Sequence, residues 1–361
     1  MTRPVIVFDA RMAYASGIGT YIRGFLSSAR ELPRSSFELT LLVRSGPPSI
    51  PGYNSTVVDS PIYSLSEQWR VPRACRERDA ALLHSPHYNA SVANIGRSVV
   101  TVHDLIHLRF PEFLKSSVAG LYARAFFHHV VPRARAILTV SQHTKQDLIA
   151  MLKIPEHKIT VAPPGIPPGF RLMHTAEREA VRRTLRLPDR YFLYVGNLKE
   201  FKNVPFLLSA YQQFREQSAR PPDLLLVGRN FIDGLPERMA AMAGVRWLSE
   251  IDQNQLPGIY ANAVALVFPS LYEGFGFPPL EAMACGTAVI SSDRASLPEV
   301  VGDAALLVDP QQEETLVSAM AVLDRDEHLR QALADKGLER SRAFSWSRLV
   351  QQTFQVYEQC L

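Results

Sequence analysis

The sequence predicts an α/β protein built from two doubly wound parallel-sheet domains. Short, unbroken apolar runs alternate with helical patterns along almost the whole chain. A proline- and glycine-rich heptad interrupts that alternation near the middle, and 361 residues are too many for one ordinary core. Strands covered on both faces read as continuous apolar runs. Repeated β–α–β order then implies parallel pairing with right-handed crossovers.

The first set of strands is expected at residues 5–8, 39–43, 81–84, 98–102, 136–140 and 159–162. Helical patterns lie between them at 18–30 and 142–153, the second with Ser141 as its N-cap. Pro163-Pro164-Gly165-Ile166-Pro167-Pro168-Gly169 follows, with four prolines and two glycines in seven residues. Such a stretch is stiff and non-helical, and the domain boundary is placed there, giving 1–168 and 169–343. A second set of strands is expected at 191–195, 224–227, 246–248, 265–268, 288–291 and 306–308, with helices at 203–217 and 311–323. Residues 344–361 read as a final helix that returns toward the first domain. Two such domains facing across a cleft would bind ligands at the carboxyl ends of their strands. The sequence shows no 20–50-residue repeat and no low-complexity tract.

Composition narrows the classes. Hydrophobic content of 47% is ordinary for a soluble globular protein. The longest mainly apolar stretch, 259–268, is too short to span a bilayer. Pro4-Val5-Ile6-Val7-Phe8-Asp9 lacks the long apolar region of a signal peptide. Cys75, Cys285 and Cys360 are few, scattered and odd in number, as expected of reduced thiols in a cytosolic protein. The net charge of +4 hides an asymmetry: residues 1–170 hold 19 Lys and Arg against 11 Asp and Glu. A basic first half fits an anionic membrane surface or a phosphorylated acceptor, or plain surface variation. Arg70, Arg73, Arg76 and Arg78 cluster beside Trp69 and Val71, and positions 69, 73 and 76 share a helix face. That face suits peripheral contact with the inner face of an anionic membrane. Nucleic acid is not expected, because there is no binding module and the net charge is modest.

The segments with chemistry in them lie at predicted strand ends. Glu273-Gly274-Phe275-Gly276-Phe277-Pro278-Pro279-Leu280-Glu281 sets two carboxylates on either side of a glycine-rich turn that opens a helix. Gly274 and Gly276 permit a sharp turn and close ligand approach. Pro278 presets φ at the first helical position, and Gly286 suits the helix stop. A helix start points N–H groups and partial positive charge into the turn, so a phosphate there, between a sugar and a ribose, would use every part. The stretch also fits a plain strand–loop–helix connection with two solvent-facing glutamates.

Asp9-Ala10-Arg11 follows the first strand, and Gly17-Ile18-Gly19-Thr20-Tyr21 opens the next helix. The third glycine of a dinucleotide fingerprint is absent and no acid ends the second strand, so a nicotinamide site is weakly supported; a tight turn into a helix remains open. His103-Asp104 ends the strand at 98–102. His103 can donate and accept near neutral pH, or serve as a core or capping histidine. His84, His87 and His107 have no metal-binding frame around them, so no metal site is assigned. Lys199 and Lys202 stand in the loop Gly196-Asn197-Leu198-Lys199-Glu200-Phe201-Lys202-Asn203, and Arg229 follows Gly228. Recurring cations at strand ends suit a diphosphate. Asp324-Arg325-Asp326 imitates a metal-diphosphate motif but reads as a corner between helices.

Taken together, these residues resemble the retaining glycosyltransferases of family four, with the GT-B fold of two Rossmann-like domains facing across a cleft. The resemblance covers nearly the whole chain and is densest from Phe268-Pro269-Ser270 through Glu273 and Glu281 to Cys285-Gly286-Thr287, with the two glutamates eight positions apart. Val102-His103-Asp104, Ser141-Gln142-His143-Thr144 and Leu297-Pro298-Glu299-Val300 support it. It is closest to bacterial mannosyltransferase-like members that build surface polysaccharides. The resemblance implies an acceptor-binding first domain and a donor-binding second domain. It implies transfer of a hexose, with mannose from GDP-mannose favoured, to a glycan or lipid-linked acceptor, without metal or cofactor.

Carried onto this sequence, the resemblance assigns Glu281 to the donor ribose and Glu273 to hydroxyls of the transferred sugar. Backbone N–H groups of Gly274, Phe275 and Gly276 surround the sugar, and those of Phe277 and Leu280 reach phosphate. Lys202 holds the diphosphate, joined by the loop with Gly17 and Gly19. His103 touches the transferred sugar, and Arg229, Ser249 and Ile251 lie near the base. The family's usual arginine earlier in the lysine loop is replaced by Asn197, and Lys199 is the candidate for the second charge. A nucleotide-sugar epimerase would consume donor without acceptor, and a non-catalytic sensor would bind donor without releasing nucleotide.

Overall fold

A computed structural model describes residues 3–15, 17–33, 36–46, 50–113 and 117–361. The chain divides into two compact units. The first combines residues 1–165 with 345–361, and the second is the continuous segment 166–344.

The first unit is built on β1 (Val5–Asp9), β2 (Glu38–Val43), β3 (Asn54–Val57), β4 (Ala80–Ser85), β5 (Ser98–Val102), β6 (Ala136–Thr139) and β7 (Ile159–Val161). Among the described residues these seven strands form one parallel sheet in the order β3-β2-β1-β4-β5-β6-β7. The apolar runs mark six of them. β3 has no such run: Asn54-Ser55-Thr56-Val57 is a largely exposed edge strand, paired on one side with β2, and burial had little to select there.

The second unit contains β8 (Tyr191–Val195), β9 (Asp223–Val227), β10 (Val245–Leu248), β11 (Ala265–Phe268), β12 (Val289–Ser292) and β13 (Leu306–Val308). Its sheet of six strands, counted among the described residues, is also parallel, in the order β10-β9-β8-β11-β12-β13. In both sheets the winding reverses beside the first strand, between β1 and β4 and between β8 and β11. At such a switch point neighbouring loops diverge and leave a crevice beyond the carboxyl ends of the strands.

Local chemistry sets the helix ends. Ser141 accepts a hydrogen bond from the Thr144 N–H (3.1 Å) and starts the helix Gln142–Leu152. Asp326 accepts from the Leu329 N–H (2.8 Å) and starts Glu327–Ser341. Asp324 pairs with Arg190 (2.7 Å). Asp324-Arg325-Asp326 is therefore a corner between helices, as its sequence position indicated.

The helix Trp346–Cys360 completes the first unit. Phe354 and Tyr357 set their rings edge-on to Phe37, with centroids 5.0 and 5.6 Å away. The Tyr357 hydroxyl meets Nδ1 of His84. Nε2 of His84 meets the Thr101 hydroxyl at 2.8 Å, and burial pushes the His84 pKa down to about 3, so the ring is a neutral core residue. Trp346 fits where two glycines make room: a Cβ on Gly24 would lie 2.4 Å from the Trp346 ring, and one on Gly165 would lie 2.3 Å from its backbone nitrogen. Gly24→Ala is expected to lower stability by about 1–3 kcal/mol through overpacking. A urea midpoint unchanged from the parent would refute this fit.

Candidate active site

In the second unit the loops after β8, β9, β10 and β11 carry the candidate residues. The loops after β8 and β9 run side by side, with Leu198 N–H donating to the Arg229 carbonyl (2.8 Å) and Phe231 N–H donating to the Leu198 carbonyl (2.9 Å). A Cβ at Gly228, where φ is +140°, would come within 2.1 Å of the Gly196 carbonyl oxygen. The close approach of the two backbones requires glycine there. Asn203, in the left-handed region at φ 62°, donates its side-chain amide to the carbonyls of Pro269 (3.2 Å) and Pro310 (2.8 Å). The Leu271 N–H donates to the Phe201 carbonyl at 2.9 Å. These bonds tie the lysine loop to the loop after β11.

That connection brings Lys202 and Glu273 into an ion pair. Their side chains are 15% and 13% exposed, so the pair is largely withdrawn from water. The ammonium of Lys202 lies 5.4 Å from the Phe201 ring centroid, and that of Lys199 lies 5.8 Å from the same ring. Lys199 thus shares an aromatic neighbour with Lys202, whereas the side chain of Asn197 carries no charge.

The turn from Glu273 to Gly276 is held from behind. Ser296 Oγ is 2.8 Å from the carbonyl oxygens of both Glu273 and Phe275 and donates to one at a time. A trans peptide points its C=O and N–H in opposite directions. The N–H groups of Gly274 and Gly276 are therefore turned away from Ser296. The buried Phe275 ring packs against Phe277 and Phe344, with centroids 5.4 and 5.6 Å away. Gly276, at φ +117°, caps the helix Phe277–Ala284, which begins one residue before Pro278. The Leu280 N–H faces the Gly276 carbonyl at 3.4 Å in the helix's first turn, and its side chain is fully buried.

Glu281, on the same helix, accepts a hydrogen bond from the Tyr260 hydroxyl at 2.8 Å. Burial lifts its pKa to about 7, against the downward pull of that bond. Arg229 meets Glu250 at 2.9 Å, with both side chains strongly exposed, so water competes effectively for the pair. Ser249 and Ile251 flank Glu250 beyond β10. The second unit thus gathers Asn197, Lys199, Lys202, Arg229, Ser249, Ile251, Glu273 to Phe277 and Glu281 at the carboxyl ends of four adjacent strands. Ser296 and Tyr260, which hold the turn and Glu281, were not read from the sequence. Ser296 precedes Leu297-Pro298-Glu299-Val300, but Tyr260 lies 21 residues from Glu281 with no local cue.

Gly17, Gly19 and His103 lie in the first unit. Gly17 and Gly19 open the helix Gly17–Glu31, and a Cβ on Gly19 would sit 2.7 Å from the Ala13 carbonyl oxygen. His103 follows β5 and donates from Nε2 to the Pro86 carbonyl (2.8 Å). Burial holds its pKa below the usual value despite that bond, so the ring is neutral with its lone pair on Nδ1. Among the described residues, no group of three His, Cys, Asp or Glu is arranged to hold a metal ion.

Residues 177–340 match the family model for glycosyl transferases group 1, and residues 16–170 match that for glycosyltransferase family 4. O-antigen chain mannosyltransferase B of Escherichia coli is 31% identical over 302 residues, covering 82% of this chain and 79% of that protein. The chain belongs to glycosyltransferase family 4. This glycosyltransferase is also 28% identical over 271 residues to serotype-specific mannosyltransferase WbdA of Escherichia coli, covering 70% of the chain but 32% of that longer protein. Its fold matches sucrose-phosphate synthase from Thermosynechococcus elongatus with a TM-score of 0.79 at 22% identity, over 99% of each chain.

The environment of Glu281 sets a pH dependence. Its folded pKa of about 7 stands above the unfolded value near 4.5, so the folded state holds a proton that the unfolded chain releases in between. Stability from this group is full below about 4.5 and is lost as pH rises through about 7. Glu281→Gln is expected to flatten the decline across that window in denaturation midpoints. A parallel pH profile in the variant would contradict the assignment.

Proposed function

We propose that this glycosyltransferase moves mannose from GDP-mannose to a glycan or lipid-linked acceptor in surface polysaccharide synthesis, with retention of configuration and without metal. The mannosyltransferase relatives support the sugar and the pathway class. The observation that carries the donor reading is the Lys202–Glu273 pair at the β8/β11 switch point, beside the mouth of the helix Phe277–Ala284.

The chemistry follows from charge. Breaking the bond between sugar C1 and phosphate oxygen builds negative charge on the diphosphate and positive charge on the ring. On donor binding the ammonium of Lys202 passes to the diphosphate and the carboxylate of Glu273 to sugar hydroxyls. The N–H groups of Gly274, Phe275 and Gly276 and the positive end of the helix complete the cradle. Lys199 supplies the second cation. Glu281, ionised, accepts from the ribose hydroxyls. Arg229, Ser249 and Ile251 serve the base, and Gly17 and Gly19 the diphosphate. His103, neutral, is assigned to the transferred sugar. The acceptor hydroxyl attacks C1 from the face the diphosphate leaves, its oxygen bonds to C1, and its proton passes to the departing phosphate oxygen. A hydrolase would need two carboxylates roughly 5–9.5 Å apart astride the bond. Here Glu273 faces Lys202 and Glu281 faces Tyr260.

Lys202→Ala is expected to lower kcat by roughly 10²–10³-fold, and Glu273→Ala to abolish transfer while leaving GDP binding. EDTA is expected to leave the parent rate unchanged. Near-normal turnover of either variant, or loss on chelation with rescue by a divalent ion, would overturn the corresponding part.

The helix Glu67–Glu77 gives the membrane reading its surface. Trp69 (67% exposed) stands near exposed Leu65, with Arg73 and Arg76 also exposed. Val71, named beside them in the sequence, is instead buried in the first unit's core. Among the described residues no helix is long and apolar enough to cross a membrane. We assign this surface to peripheral contact with anionic lipid. Sedimentation with phosphatidylglycerol vesicles should exceed that with phosphatidylcholine and fall in a Trp69→Ser, Arg73→Gln, Arg76→Gln variant. Equal sedimentation of parent and variant would remove the membrane from the account.

A further inference from the structure

The first sheet has its own switch point, between β1 and β4, and the donor chemistry leaves the cluster there unused. Arg11, two residues beyond β1, grips Asp9 with two hydrogen bonds (2.8 and 2.6 Å) and reaches Glu67 at 3.2 Å. The three side chains are at most 10% exposed. Burial lifts the Glu67 pKa above its ordinary value, against the pull of Arg11. One guanidinium serves two carboxylates, which leaves the cluster an excess of acceptor character. The residues after β4 orient toward it. Asn89 donates its amide to Glu67 (3.4 Å), which leaves its oxygen to accept from His87 Nδ1 at 3.2 Å. The Tyr122 hydroxyl donates to the other oxygen of Glu67 at 3.4 Å. With its proton directed inward, that hydroxyl keeps lone pairs for an outside donor.

Tyr63 stands over this group. Its ring lies 5.9 Å from Tyr88, stacked, and 5.9 Å from Tyr122, edge-on, and the residue as a whole is 43% exposed. Its backbone is in the left-handed region at φ 64°. For a bulky residue that conformation costs about 1–3 kcal/mol and persists where the surroundings impose it. The loop is fastened by the hydroxyls of Ser60, Ser64 and Ser66, which lie 2.5–3.1 Å apart. A network that only joined the helix Glu67–Glu77 to the sheet would need neither the strained backbone nor an exposed tyrosine at its edge.

We propose that this cluster is the acceptor subsite and that it recognises a neutral pyranose. The apolar C–H face of the sugar stacks on Tyr63, and sugar hydroxyls donate to Tyr122. Glu67 is a positioning residue, acting through Tyr122 and Asn89. An anionic group gains nothing there, because Arg11 is already committed to two carboxylates. The inference rests on the glycosyltransferase reading and names its acceptor side.

The test is a titration of the full chain with methyl α-D-mannopyranoside in the presence of GDP, followed by saturation-transfer NMR. The parent is expected to bind. Tyr63→Ala is expected to weaken binding about tenfold or more, a loss of at least roughly 1.4 kcal/mol, and Tyr63→Phe to retain it. Tyr63→Gly suits the backbone and serves as a folded variant lacking the ring. Parent-like affinity in the Ala and Gly variants would overturn the proposal. So would no binding by the parent, or a signal lost in Glu273→Ala but kept in Tyr63→Ala, which would place the glycoside in the donor site. Failure of GDP alone to raise the parent's melting temperature would instead count against the donor reading and leave the Tyr63 result to stand by itself.

Discussion

A parallel sheet sends all its carboxyl ends to one edge, and every side chain given a chemical role here depends on that constraint. Lys202, Arg229, Ser249 and Glu273 are far apart in the chain but follow neighbouring strands. Lys202 and Glu273 follow β8 and β11, the two strands at which the winding of the sheet reverses. The loops are fastened to one another by backbone bonds, by the Asn203 amide and by the Ser296 hydroxyl. The charged pair is therefore held by a frame that does not depend on a ligand.

The two switch points solve different electrostatic problems. In the second unit a cation and a carboxylate face each other with partial access to water, which suits the proposed exchange of both partners for a diphosphate sugar. In the first unit the charges of Asp9, Arg11 and Glu67 are almost fully withdrawn from solvent. Withdrawing charges carries a penalty of several kcal/mol per ion unless geometry and further hydrogen bonds offset it. The bidentate grip on Asp9 and the donors around Glu67 provide that offset. The result is a rigid arrangement suited to orienting neutral groups.

Local sequence revealed what depends on local physics. Twelve strands were legible because burial on both faces leaves continuous apolar runs, while β3, a polar edge strand, gave no such mark. The turn from Glu273 to Glu281 was legible because glycines, prolines and carboxylates fall within one short segment. The pairing of Lys202 with Glu273 joins residues 71 positions apart, and that of Arg11 with Glu67 spans 56. Neither has a local signature, although Asp9-Ala10-Arg11 drew notice at its strand end.

The chain order of the units bears on how the protein is made. Residues 166–344 are contiguous, whereas the first unit is interrupted by them and regains the helix Trp346–Cys360 afterwards. Domains usually fold as they leave the ribosome, N-terminal first. Here that order is inverted at the finish. The second unit can close while the earlier-synthesised sheet still waits for Trp346, Phe354 and Tyr357, with Gly24, Phe37 and His84 uncovered. A nascent chain paused within that interval would present an apolar surface to chaperones.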